Sequence, residues 1–282
     1  MRSQLRLHGD SMSLNKMKIW SGRTFSAAAI LMVTSPVFAQ ATFLIWPIYP
    51  KIEEKEKATA VWLQNTGNSD AMVQIRVFKW DQNHQQDAYA EQTEVIPSPP
   101  VAKIKAGEKH MLRLTRSTAV PDAKELAYRI IVDELPIKLN PEDEKDASTV
   151  SFQMRYSIPL FSYGKGLGSG LTEVSQKTNA KNPLAKPILS WWVKNNEQGK
   201  PELYIKNTGS KFSRLSGIKL TPTSEQMAFG KTAFGYVLAN STMKFDLDNK
   251  LLNSLSGQSS LYGVDSSGVK QELVEIKKEG GG

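Results

Sequence analysis

Three histidines occur in 282 residues, at positions 8, 84 and 110, and there is no cysteine. His84 falls in a polar loop and His110 in an alternating run, and neither has an acid or cysteine at the spacing that zinc sites use. Carboxylates gather as Glu53 with Glu54 and as Glu142, Asp143 and Glu144. They are adjacent in polar runs, where solvated charge is expected, and not at the facing positions that glycoside hydrolysis needs. No G-x-S-x-G occurs, so the signature of an elbow serine nucleophile is missing. Residues 163–170 (YGKGLGSG) approach G-x-G-x-x-G, but Ser169 stands at the last glycine position and no βαβ unit follows. That stretch reads as a flexible interdomain connection. No catalytic constellation emerges, and neither a metal nor another cofactor is implied; the chain reads as a non-enzyme.

The first residues carry an address. Lys16 and Lys18 precede residues 27–33 (AAAILMV), and Ser35 and Pro36 break the run before Val37, Phe38 and Ala39. A basic region, a short apolar run and a small-residue cleavage site make a secretory signal peptide of residues 1–39, cut after Ala39 or Gln40. The run is too short to span a bilayer, and no other stretch is apolar enough, so no membrane insertion is expected. Removing 1–39 takes away five Lys/Arg and one Asp and lowers the formal charge from +8 to +4. A nucleic-acid partner would need a concentrated basic face, and the exported address argues against one. An exported chain without cysteine is held by packing alone, and the remainder is long enough for one sizeable core or two smaller ones.

The strongest pattern lies at residues 149–161 (TVSFQMRYSIPLF). Val150, Phe152, Met154, Tyr156, Ile158 and Leu160 alternate with Ser151, Gln153, Arg155 and Ser157. Period-two alternation means a β-strand with one apolar and one polar face. Residues 140–147 (NPEDEKDA) are acidic, polar and begun by a proline, and will not pack into a core. A long apolar strand is therefore expected to emerge from a mobile loop, ready to be lent to another protein.

Among the elements around it, residues 57–64 and 72–80 alternate in the same way. Residues 42–52 hold Pro47 and Pro50, which exclude helix and place the segment at a sheet edge. Residues 57–64, 72–80, 103–105, 109–115 and 125–135 read as strands, and 95–101 as irregular. After 163–170 the pattern restarts at 189–193, 202–206, 217–220, 236–238, 244–247, 257–264 and 271–276. Short strands between turns, without helical periodicity, indicate all-β sandwiches. The expected organisation is a first domain at 40–163, a connection at 164–170 and a second, smaller domain at 171–282. Asn-Thr-Gly at 65–67 and again at 207–209 hints at a shared plan.

Three stretches together, 99–114 (PPVAKIKAGEKHMLRL), 125–136 (ELAYRIIVDELP) and 149–161, resemble the periplasmic pilus-assembly chaperones of the chaperone–usher pathway. The resemblance covers the first domain well and the second mainly through size and strand pattern. It implies two immunoglobulin-like β-sandwich domains in an L, or boomerang, arrangement. It also implies that the chaperone inserts its own strand into the open groove of a pilus subunit and delivers the subunit to an outer-membrane usher. By position the donor side chains are Val150, Phe152 and Met154, with Tyr156 a fourth. Burying three such side chains is worth about 5–9 kcal/mol as an upper bound, reduced by the cost of ordering loop and strand.

Two departures from the family pattern matter. Many members anchor the subunit's terminal carboxylate with an arginine and a lysine, and those positions fall here near Tyr49 and Pro159, which carry no charge. The chain therefore resembles the divergent archaic or alternative branch, with Arg129 and Arg155 as candidate anchors. The interdomain ion cluster implied by the resemblance uses Glu134, whose usual arginine partner is replaced at Tyr163 and Gly164, with Lys165 nearby. The alternative reading is a secreted β-sandwich adhesin or carbohydrate-binding module that stacks sugars on Trp46, Trp191 or Trp192.

Overall fold

The computed structural model describes residues 43–136, 153–227, 235–247, 249–268 and 270–279. The first β domain consists of two facing sheets. One contains, in order, β1 (Phe43–Trp46), β3 (Ala58–Asn65), β8 (Lys109–Arg116) and β6 (Val95–Ser98). The other runs β2 (Lys51–Ile52), β10 (Arg155–Tyr163), β9 (Glu125–Leu135), β4 (Ala71–Asn83) and β5 (Gln86–Ala90), with β7 (Val101–Ile104) also on β4. Val61, Leu63, Leu112 and Leu114 of the first sheet meet Val73, Ile75, Ile130, Val132 and Leu160 of the second. Each is a residue of one parity on its strand, so period two delivers a single buried face per sheet.

Prolines mark where the chain changes sheet. Pro47 and Pro50 separate β1 from β2, as an edge segment requires. Pro99 and Pro100 separate β6 from β7, so the run expected to be irregular is two short strands in opposite sheets.

The second β domain is a curled seven-stranded sheet in the order β14 (Gly235–Val237), β13 (Ser213–Lys219), β16 (Ser260–Asp265), β17 (Glu272–Lys278), β11 (Leu189–Asn195), β12 (Pro201–Asn207) and β15 (Thr242–Asp246). Its core joins Trp191, Leu203, Ile205, Leu215, Ile218 and Ile276 to Leu251 and Leu255. The last two come from a helix absent from the sequence reading, α2 (Asn249–Leu255). A further short helix, α1 (Glu173–Asn179), is capped by Thr172, whose side chain accepts from Ser175 N.

Gln40–Gly282 form one compact unit, so the contacts between the two β domains are internal to it. Trp80, Phe161, Tyr163, Leu167, Phe212 and Leu238 make a third apolar cluster shared by both domains. The glycine-rich connection is fastened here rather than loose. Leu167 is buried, and a Cβ on Gly164 would meet Pro121 O at 1.9 Å. Only glycine permits that approach.

Candidate functional site

The arrangement turns on how β10 is buried along its length. From Ile158 to Tyr163 every residue is buried. Ile158 and Leu160 fill the first sandwich, while Phe161 and Tyr163 point the other way into the shared cluster. Phe161 stacks on Phe212 at 3.7 Å between centroids and 2° between planes. Toward its start the strand leaves this cover. Tyr156 is the last inward residue: its ring meets Phe43 edge-on at 6.3 Å, and its hydroxyl accepts from Phe43 N at 3.1 Å. Two residues earlier, Met154 is 40% exposed.

The sequence-derived donor residues thus divide. Met154 shares the apolar parity but stands beyond the last layer of this molecule's core. Tyr156, partly buried, packs against that core between the inward residues and Met154. Val150 and Phe152 lie outside the described residues.

The exposed start of β10 is held in register by Asp133. In the β9–β10 ladder Arg155 stands opposite Asp133, and its Nε donates to Asp133 Oδ1. Arg76 of β4 donates to Oδ2 at 2.7 Å. Burial alone would raise the Asp133 pKa, but the bonds from Arg155 and Arg76 outweigh it and hold the carboxyl below its ordinary value. Arg155 is therefore paired with Asp133 within the sheet, with most of its side chain exposed. Glu134 closes the same corner: its N–H donates to Met154 O at 3.0 Å, and its carboxylate accepts from Met154 N. The contacts found between the domains among the described residues gather at the opposite end of β9.

That end carries Glu125, about 30 Å along the strand from Glu134 at the usual rise per residue. Glu125 Oε1 accepts from Phe212 N of the second domain at 2.8 Å. Burial pushes this carboxyl up to about 7, against the opposing pull of Lys211 and the Phe212 amide. Lys211 Nζ donates to Ser169 O at 2.6 Å, and Ser169 Oγ is bonded to Glu53, beside Lys51. The interdomain polar cluster is therefore built on Glu125 and Lys211. The sequence offers one signal for it: an acid at the head of an otherwise apolar strand.

Arg129 lies between these ends, buried, in register opposite Pro159. Its guanidinium carbon sits 3.7 Å from the Trp80 ring centroid and 5.0 Å from that of Tyr236. Arg214, from β13, lies 5.3 Å over Tyr49 and 5.9 Å from Tyr236. The two uncharged positions, Tyr49 and Pro159, are thus each flanked by an arginine from a different strand. The aromatics proposed as sugar platforms are otherwise engaged. Trp191 is in the core, Trp192 stacks on Tyr204 at 5.3 Å, and Trp46 stacks on Trp62 at 6.5 Å.

Residues 50–167 match the family described as pili and flagellar-assembly chaperone, PapD N-terminal domain. The chain is 66% identical, with a TM-score of 0.72, to a chain of the CsuC–CsuE chaperone–tip adhesion subunit pre-assembly complex from archaic chaperone–usher Csu pili of Acinetobacter baumannii, covering 85% of this chain and 100% of that one. It is 27% identical over 154 residues to the probable fimbrial chaperone YadV of Escherichia coli K12, spanning 54% of this chain and 57% of that relative's length. A chain of the Salmonella enterica SafA pilin–SafB chaperone complex shares the fold, at 11% identity and a TM-score of 0.54 over 83% of this chain and 95% of that one. With two β domains in place, these likenesses show that the chain belongs to the periplasmic pilus-assembly chaperones of the chaperone–usher pathway, in their archaic branch.

Proposed function

We propose that this chain captures pilus subunits by donor-strand complementation, lending them Val150, Phe152 and Met154, and passes them to an outer-membrane usher. The observation that carries this reading is the change of environment along β10. The strand is fixed on both faces from Ile158 onward, yet its apolar parity continues past Tyr156 into exposed Met154. A subunit groove that accepts these side chains gains main-chain hydrogen bonds as well as apolar burial. Arg129 supplies the charge that holds the subunit's terminal carboxylate, since a charge-assisted hydrogen bond is about twice as strong as a neutral one.

The chain acts in the periplasm after loss of residues 1–39. Residues 40–163 carry the donor strand, 164–170 the connection and 171–282 the second domain. Its work is binding, with no bond made or broken. Co-expression of the Phe152→Asp, Met154→Asp double variant with the pilus subunits of the same assembly system tests the proposal. The variant is expected to be folded and exported but to leave the subunits unprotected from degradation. Subunit recovery equal to that with the unaltered chaperone would overturn it.

A further inference from the structure

The side chain that continues the apolar parity of β10 past Tyr156 is a thioether. With nine methionines and no cysteine, the chain carries all of its sulfur in this form, and thioethers are the groups on it that peroxides oxidise. Met1, Met12, Met17 and Met32 fall within residues 1–39. Met72, Met227 and Met243 are half-buried, the last two packed against the second core. Among the described residues the exposed methionines are Met111, at 45%, and Met154, at 40%. They stand on different surfaces. Met111 pairs with Trp62 in the first sheet, on the parity opposite to buried Leu112 and Leu114. Met154 stands at the start of β10, on the parity of Ile158 and Leu160.

The main chain of Met154 is held while its side chain stays uncovered. Its carbonyl accepts from Glu134 N–H at 3.0 Å, and its N–H donates to the Glu134 carboxylate. An unbranched, polarisable thioether fills irregular apolar gaps, so it suits a strand that must fit the grooves of several subunits. The same sulfur is open to oxidation, and the sulfoxide is polar and chiral. Water satisfies the sulfoxide oxygen on the free strand. An apolar groove offers it no donor, so seating the oxidised side chain there is unfavourable.

We propose that Met154 is an oxidative modification site: hydrogen peroxide converts its thioether to the sulfoxide, and the oxidised strand no longer seats in a subunit groove. This rests on the capture reading. A sulfur lone pair attacks one peroxide oxygen and the O–O bond breaks. The proton of the transferred oxygen passes to the departing hydroxide, which leaves as water. Sulfur is oxidised and the peroxide reduced, with no other reactant. A seated subunit covers Met154, so oxidation falls on the free chaperone and spares the loaded one. Sulfoxide reductases, one for each epimer, reverse the change.

The test treats the chaperone with hydrogen peroxide, free and in complex with a pilus subunit that co-purifies with it, and locates sulfoxide by peptide mass spectrometry. Met154 is expected to oxidise faster in the free chain, and Met111 at the same rate in both. The treated free chaperone, cleared of peroxide with catalase, is then titrated against denatured subunit under refolding conditions, and the complex is measured by gel filtration. Capture by the parent is expected to weaken roughly tenfold or more relative to its untreated sample, and methionine sulfoxide reductases are expected to restore it. Met154→Leu has no thioether at this position, so its capture, compared with its own untreated sample, is expected not to change. Met111→Leu is expected to lose capture as the parent does. If Met154→Leu also loses capture on treatment, or if a chaperone fully oxidised at Met154 captures as the reduced one does, the proposal is overturned while the donor-strand reading stands. If Met154 oxidises equally fast in the complex, no groove covers it, and its donor role falls together with the proposal.

Discussion

The Glu125 carboxylate accepts its hydrogen bond from the Phe212 amide at 2.8 Å, tying the first strand residue of β9 to the second β domain. Its other oxygen, Oε2, is buried without a partner. The facing titratable groups are Lys211 and Tyr163, with Glu53 next to both. Burial raises the carboxyl from 4.5 to about 7, so between those values the folded chain holds a proton that the unfolded chain has released. Stability from this group is therefore complete below pH 4.5 and is lost as pH rises toward 7. The loss approaches a ceiling of roughly 3 kcal/mol. Glu125→Gln keeps an acceptor for Phe212 N and has no proton to lose. The variant is expected to melt higher than the parent at pH 8 and to flatten the decline between pH 5 and 7. Lys211, lowered by burial, acts with the opposite sign on the alkaline side. A parent melting curve independent of pH across 5–7 would show that Glu125 is ionised throughout.

The Phe161–Phe212 stack is the apolar counterpart of that bond. At 3.7 Å and 2° the rings lie face to face, with Trp80 6.1 Å from Phe161 and 5.1 Å from Tyr236. Phe212→Ala removes one wall of the shared cluster and is expected to cost about 3–5 kcal/mol. Near-ultraviolet circular dichroism should lose the signature of the ordered Trp80 ring, while the far-ultraviolet β signal persists below the lowered melting point. Both domains keep their own cores, so a global loss of β structure at 25 °C would place the cluster inside one folding unit instead.

Asp133 controls the part of β10 that a subunit must reach. Its carboxylate bridges Arg76 and Arg155, so Asp133→Asn weakens two charge-assisted bonds at once. The expected cost is about 1–3 kcal/mol. It should fall unevenly: amide exchange accelerates at residues 155–157 before it does at 160–163, where both faces of the strand are buried. Because the parent carboxyl is held below its ordinary value, its contribution is present at neutral pH and fades as pH falls through the folded pKa. Uniform acceleration along β10 would mean that Asp133 supports the whole sheet and not the register of its start.

Much of this was legible in the alternation of side chains, because a strand with one dry face must repeat every second residue. Residues 72–80 read as a strand for that reason and fall within β4, while 125–135 read as one because they are apolar and β-branched, and form β9. The signal fails where burial is on both faces or on neither. β5 offers a single large apolar residue, Tyr89, and its hairpin is turned by His84 and Gln85 at φ 52 and 59, non-glycine residues with no turn signature. α1 and α2 have seven residues each, too short for a helical period to stand out. Arg129 was marked by its apolar neighbours, but Arg214 was not, since its aromatic partners Tyr49 and Tyr236 meet only once both domains are folded. Glu134 is named by the resemblance alone, and position along a strand says nothing about which end faces another domain.

The repeated Asn-Thr-Gly turns perform the same task in both domains. Asn65 and Asn207 are the last residues of β3 and β12, and both are buried. Each accepts from the glycine two residues on at 2.9 Å. Each also donates through Nδ2 to a carbonyl four residues on, Ser69 O at 2.8 Å and Lys211 O at 2.7 Å. The same nitrogen then reaches a distant strand, at Ile104 O from Asn65 and at Val237 O and Leu238 O from Asn207. A single amide thus satisfies the turn and pins it to a strand that the backbone ladder does not reach. Asn207→Asp preserves the acceptor but turns the donor into a second acceptor facing three carbonyls. It is expected to destabilise more than Asn207→Ala, whose cost is about 2–4 kcal/mol. Urea unfolding of both variants at pH 7 separates the cases, and the order should reverse below the aspartate pKa, where a protonated carboxyl can donate again. Equal stability of the two variants at pH 7 would assign the turn to backbone geometry alone.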